Sequence, residues 1–242
     1  MKRIKLGILQ TNHDKSVDVG DAFTDDAHRF RDMFDAQDDR FTYRVYMTIG
    51  GEVPQDLDEQ DAYMITGSPL SVLKPHIFTD DLMDFIRRCD GAKKPLMGAC
   101  FGHQAIAMAL GGKVENIGNG YNVGIEDTVY HSKRPWMTPD RDALAMYVFH
   151  EDAVTQLPDG CELLGSTANC QNASFAKGNH IFTTQAHPEF SDPFMRCVLT
   201  SAEDGIPQQG RKPAWDSLSK PQEGHIFGLW TTQFFKDALA NG

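Results

Sequence analysis

Long apolar runs are missing: no stretch of the 242 residues approaches the roughly 20 apolar positions that a membrane-crossing helix needs. The apolar run after Met1-Lys2-Arg3 is only a few residues long and gives way to Gln10-Thr11-Asn12-His13-Asp14, so no signal peptide is expected. Basic residues are in the minority, 23 Lys and Arg against 34 Asp and Glu. The formal net charge of -11 argues against nucleic acid and anionic membranes as partners, and leaves small molecules or a protein. Cysteine is sparse and odd in number: Cys89, Cys100, Cys161, Cys170 and Cys197 include no CxxC pair and no zinc-like spacing to histidine. Reduced thiols in a cytoplasmic protein, with no metal and no cofactor, are therefore expected. Internal repeats and low-complexity tracts are also lacking.

What is present is an alternation of short β-branched runs with amphipathic stretches, the pattern of a parallel sheet flanked by helices. IKLGILQ (4–10), FTYRVYM (41–47), DAYMITG (61–67) and PLMGA (95–99) read as strands. Phe23, Ala27, Phe30 and Phe34 fall at helical spacing within Asp21 to Asp35, and Phe78, Leu82, Phe85, Ile86 and Cys89 make a second helix. After Cys100 the runs VGIEDTVY, ALAMYVF, CELLGST, ASFAK and HIFTTQAH predict a more antiparallel half that returns to the main sheet near His187. The Pro- and Gly-rich stretch 205–224 predicts a long loop, and Phe227 to Ala240 a closing helix. A length of 242 fits one α/β domain over 1–242, with 205–242 a loop-rich extension; two small domains are the alternative.

Within this frame PLMGACFGHQ places one thiol, Cys100, between a strand and a helix, with Gly98 and Gly102 on either side. The pattern G-x-C-x-G is the thiol counterpart of a nucleophile elbow. Its glycines permit the sharp bend, and the helix N-terminus favours negative charge on the sulfur. A merely buried cysteine is the simpler reading, and it is adopted for the other four. A nucleophilic thiol needs a base and a group that orients the base. HIFTTQAHPEF sets His187 at the end of a strand, with Glu189 two residues further on to hold the imidazole. A surface His-Pro-Glu turn would have the same sequence. His103, only three residues from Cys100, is the rival base, but its place in the first helical turn predicts a packing role. ITGSPLSV ends the third strand in a turn, where the N–H groups of Gly67 and Ser68, with that of Phe101, would make an oxyanion hole.

Taken together and in this order, ITGSP, MGACFGHQ and QAHPEF resemble the class I glutamine amidotransferase family over most of residues 4–195. The resemblance points to the branch that includes GMP synthetase and free-standing γ-glutamyl peptidases. It implies a flavodoxin-like three-layer α/β sandwich, with a mainly parallel sheet and a small antiparallel addition. It also implies that Cys100 attacks the side-chain amide of glutamine, or another γ-glutamyl amide, to form a thioester that water then hydrolyses. Gln104 matches the family glutamine that helps hold the substrate, and FHEDAV (149–154) matches a substrate-facing loop with His150, Glu151 and Asp152. For Asp152 a turn cap is an equal alternative. One departure is Ser68, where the family often has a second glycine; a backbone N–H survives that change. Another is that no synthetase domain and no G-x-x-x-x-G-K-[ST] loop is recognisable. The expectation is thus a stand-alone γ-glutamyl hydrolase, with a glutaminase subunit feeding a separate synthetase, or a noncatalytic regulatory protein of the same fold, as alternatives.

Overall fold

The computed structural model describes residues 3–118 and 120–241. Its first strands are β1 (Ile4–Leu9), β2 (Phe41–Tyr46), β3 (Ala62–Ile65) and β4 (Leu96–Ala99). They are joined by the helices α1 (Asp26–Asp35) and α2 (Thr79–Ala92), and β4 leads into α3 (Phe101–Ala109). The second half contributes β5 (Lys113–Asn116), β6 (Asn122–Tyr130), β7 (Ala143–His150), β8 (Asp152–Gln156), β9 (Cys161–Ser166), β10 (Ser174–Lys177) and β11 (Ile181–Thr184). Helices α4 (Asp192–Ser201), α5 (Gln208–Ser217) and α6 (Gly224–Asn241) follow.

The main sheet runs β2-β1-β3-β4-β11-β10-β9-β6-β7, while β5 and β8 pair separately. Its first five strands are parallel and the remaining pairings antiparallel. Strand alternation sorts the core into two clusters. Leu6, Ile8, Met64 and Met97 face the aromatic side chains of α1 and α6, among them Phe30, Phe34, Trp230, Phe234 and Phe235. Leu9, Tyr63, Ile65 and Leu96 face Leu82, Phe85 and Ile86 of α2 and Phe101 and Ile106 of α3. The result is the three-layer arrangement expected from the alternating pattern. Because β11 lies parallel beside β4, the chain leaves both strands at the same sheet end. In open parallel sheets the carboxyl ends of the strands near the change in strand order form the crevice for ligands.

Three local expectations change. The first helix starts at Asp26, not at Asp21, because the Asp25 carboxylate accepts the His28 N–H and caps it. The closing helix starts at Gly224, three residues before the expected Phe227. The stretch 205–224 is not one long loop: it contains α5, with Pro213 inside the helix. Tertiary contacts override its composition. Ala214 is buried, and Ser217 Oγ, which donates to Ala214 O, accepts the N–H of Ile125 in β6 at 2.9 Å.

Candidate active site

Between the last residue of β4 and the first of α3 stands Cys100 alone, with φ 47° and ψ -102°. A positive φ is strained for a non-glycine residue and needs support from its surroundings. The Cys100 N–H donates to Thr184 O of β11 at 2.8 Å. Both flanking glycines are required sterically. A Cβ on Gly98 would lie 2.6 Å from the Gly102 carbonyl carbon, and one on Gly102 would lie 2.4 Å from Ile65 O. Cys100 is nearly buried, 4% exposed, and lines a cavity with about 860 Å³ of free space, its mouth included.

His187 reaches the same cavity from the end of β11. Its N–H donates to Tyr147 O at 2.8 Å, its Nδ1 lies 2.9 Å from Glu189 Oε1, and its ring stacks on Phe190. A Cβ on Gly67 would sit 2.6 Å from His187 Cε1 and 3.5 Å from Cys100 Cβ, so only glycine leaves room for the imidazole there. Burial works against a charged imidazole. The neighbouring Cys100 and the Glu189 carboxylate, 2.9 Å from His187 Nδ1, outweigh burial and hold His187 well above its ordinary range. Cys100, whose Sγ donates to Phe149 O at 3.9 Å, thus shares a cavity with an imidazole paired to a carboxylate.

At the end of β3, the Gly67 carbonyl lies 3.1 Å from the hydroxyls of both Thr11 and Thr66. In a trans peptide the next N–H, that of Ser68, points the opposite way. The Ser68 hydroxyl turns aside to donate to Thr11 O at 2.8 Å and accepts the Leu70 N–H. The N–H of Phe101 opens α3, where helical N–H groups have no intrahelical acceptor.

A sequence model of the class-I glutamine amidotransferases matches residues 36–194. The chain belongs to that family. It is 31% identical over 155 residues to γ-glutamyl peptidase 3 of Arabidopsis thaliana, covering 61% of this chain and 62% of that relative. It is 29% identical over 139 residues to the GMP synthase of Porphyromonas gingivalis, covering 57% of this chain and 26% of that protein. The chain spans less than two thirds of the length of the γ-glutamyl peptidases it matches, 62%, 61% and 64% for three of them. A crystal structure of a glutamine amidotransferase from Thermotoga maritima superposes over 100% of both chains with a TM-score of 0.74 at 17% identity, a likeness of fold.

The remaining predicted residues of this amidotransferase-family chain also meet at the cavity. Gln104, His150, Glu151 and Asp152 all line it. Gln104 Nε2 donates to Asp152 O at 2.8 Å and lies 3.2 Å from Gln185 Oε1, so the side chain is braced. Asn122 Nδ2 donates to His150 Nε2, which leaves His150 Nδ1–H for Asp152 O at 3.0 Å. Burial pushes His150 down to about 4, consistent with this neutral tautomer. The Asp152 carboxylate accepts from Ser71 Oγ and Asn116 Nδ2. Residues 149–154 do not form one loop: β7 runs to His150, and β8 begins at Asp152.

His103 points elsewhere. It is fully buried, with Nδ1 2.9 Å from Thr183 Oγ1 and its ring against Phe175, a packing role as its helical position predicts. Asn12, Asp26, Arg29, Tyr121, Phe190 and Phe194 line the cavity and were not singled out by the sequence. One signal was available for the first of these: Asn12 follows β1, whose carboxyl end belongs to the ligand crevice of a parallel sheet.

Proposed function

We propose that this chain hydrolyses the γ-glutamyl amide of glutamine or of another γ-glutamyl compound through a thioester on Cys100. The observation that supports this reading is that Cys100 and His187 line one cavity, with His187 Nδ1 2.9 Å from Glu189 Oε1. His187, held charged by its neighbours, keeps the proton given up by Cys100, and the sulfur attacks the amide carbon as a thiolate. The N–H groups of Ser68 and Phe101, with that of Gly67 beside them, stabilise the developing oxyanion. As the tetrahedral intermediate collapses, the C–N bond breaks and His187 returns the proton to the departing amine. Water then adds to the thioester with His187 again as base, the C–S bond breaks, and glutamate leaves. Gln104, His150, Glu151 and Asp152 hold the glutamyl portion. Glu189 keeps the imidazole oriented and supports its positive charge.

Turnover of glutamine and a set of γ-glutamyl amides by the purified protein, measured beside Cys100→Ala, tests the proposal. Hydrolysis that depends on Cys100 is expected. Absence of turnover, or turnover equal in Cys100→Ala, overturns it. The similarity to a GMP synthase favours a second reading, a glutaminase subunit serving a separate synthetase. Under that reading glutaminase activity is low alone and rises on binding a partner, and a pull-down that recovers no synthetase counts against it.

A further inference from the structure

The place of His187 fixes where a leaving amine must lie. The imidazole returns its proton to the departing nitrogen, so that nitrogen sits against His187, and whatever it carries extends along the wall beyond. Gln104 and residues 150–152, which line the cavity, hold the glutamyl portion under the reading above. Phe190, stacked on His187, leads to a wall built from other segments: Phe194 and Val198 of α4, Asp26 and Arg29 of α1, and Asn12, Asp14 and Val19 from the loop after β1. Ammonia needs none of these groups.

Arg29 is the unusual member of this wall. Its side chain is only 10% exposed. One Nη lies 2.5 Å from Asp26 Oδ1, the other donates to Thr24 O, and the Asp26 carboxylate also accepts from Asn12 Nδ2 at 2.9 Å. The guanidinium carbon lies 3.9 Å from the centre of the Phe194 ring, so one face is covered. Its buried Nε–H has no partner among the described residues. A buried donor calls for an acceptor, and a planar guanidinium suits a carboxylate.

We propose that Arg29 and Asn12 form a leaving-group subsite for the carboxylate of a released amino acid, with Val19, Phe194 and Val198 packing against that amino acid's apolar side chain. The subsite rests on the hydrolase reading above and names its preferred substrates as γ-glutamyl derivatives of apolar amino acids. Asp14, exposed on the same wall, repels a second carboxylate, so an acidic amino acid is a poor leaving group.

The test compares kcat/KM of the wild-type protein for glutamine, γ-glutamyl-leucine, γ-glutamyl-glutamate and γ-glutamyl-isoamylamide, the last being the leucine compound without its carboxylate. γ-Glutamyl-leucine is expected to exceed the isoamylamide by about ten- to a hundredfold, the range of a charge-assisted hydrogen bond. It is also expected to exceed glutamine and γ-glutamyl-glutamate. In Arg29→Gln the leucine-to-isoamylamide ratio falls to about one, and in Arg29→Lys part of it returns. A ratio measured on one protein cancels any general loss of activity, and the wild-type ratio decides the matter if the variants do not fold. Equal values for the two compounds in the wild type, a preference for glutamine, or an unchanged ratio in Arg29→Gln overturns the subsite while hydrolysis stands. No turnover of any of the four overturns the hydrolase reading and the subsite together.

Discussion

The imidazole of His187 lies face to face with the ring of Phe190, their centroids 4.0 Å and their planes 17° apart. On another side the backbone of Gly67 closes in, so the ring sits in a slot and Glu189 holds its Nδ1. Aromatic pairs are worth about 0.5–1.5 kcal/mol beyond the area they bury. Phe190→Leu should free the imidazole to turn and lower kcat by up to about tenfold, with KM changed less. Steady-state kinetics on a γ-glutamyl amide check this; an unchanged kcat would show that the stack does not position the base.

Gly67→Ala would set a methyl group 2.6 Å from His187 Cε1, an approach closer than contact allows. Displacement of a catalytic group by about 1 Å can lower the rate by about a hundredfold, so activity should fall by that order while the thermal midpoint moves little. Gly102→Ala differs because its Cβ would meet the backbone oxygen of Ile65 at 2.4 Å. There overpacking should destabilise the fold by about 1–3 kcal/mol, read as a lower thermal midpoint.

The elbow at Cys100 and the His187–Glu189 pair were legible in the sequence because each is local: glycines at fixed offsets, and a carboxylate two residues from its imidazole. The parallel half was legible from the alternation of apolar runs. Helix α5 was not, because Gly210 and Pro213 disfavour a helix and the packing of Ala214 and Ser217 on β6 decides the matter. The Arg29 wall was not legible either. Its members come from the β1 loop, α1 and α4, and each is locally an ordinary polar loop or amphipathic helix.

Glu189→Gln keeps the shape of the carboxylate and removes its charge. With that charge gone, burial pulls the His187 imidazole down from its raised position. The alkaline limb of the kcat/KM profile should therefore move to lower pH, the apparent value belonging to the coupled Cys100 and His187 pair. The rate at the optimum should fall, though less than in Cys100→Ala, because orientation weakens while the proposed nucleophile remains. A profile that keeps its alkaline limb in place would count against the Glu189 role.

Acid stability follows from two buried histidines, His150 lining the cavity and His103 behind it. Burial pushes His103 down to about 3 and His150 to about 4, against 6.5 in an unfolded chain. Between pH 6.5 and those values the unfolded chain binds protons that the folded protein excludes, so stability falls as the pH falls. Each histidine contributes up to about 1.4 kcal/mol per pH unit in its window. His187, raised instead, acts in the other direction and in another window: its contribution is complete below 6.5 and is lost as the pH climbs through its folded value. Urea unfolding at intervals from pH 7 to pH 4.5 should thus show a steady loss of stability, and His103→Gln should flatten that slope whatever it does to the value at pH 7. An equal slope in the variant would mean that His103 is not the neutral, desolvated group described above.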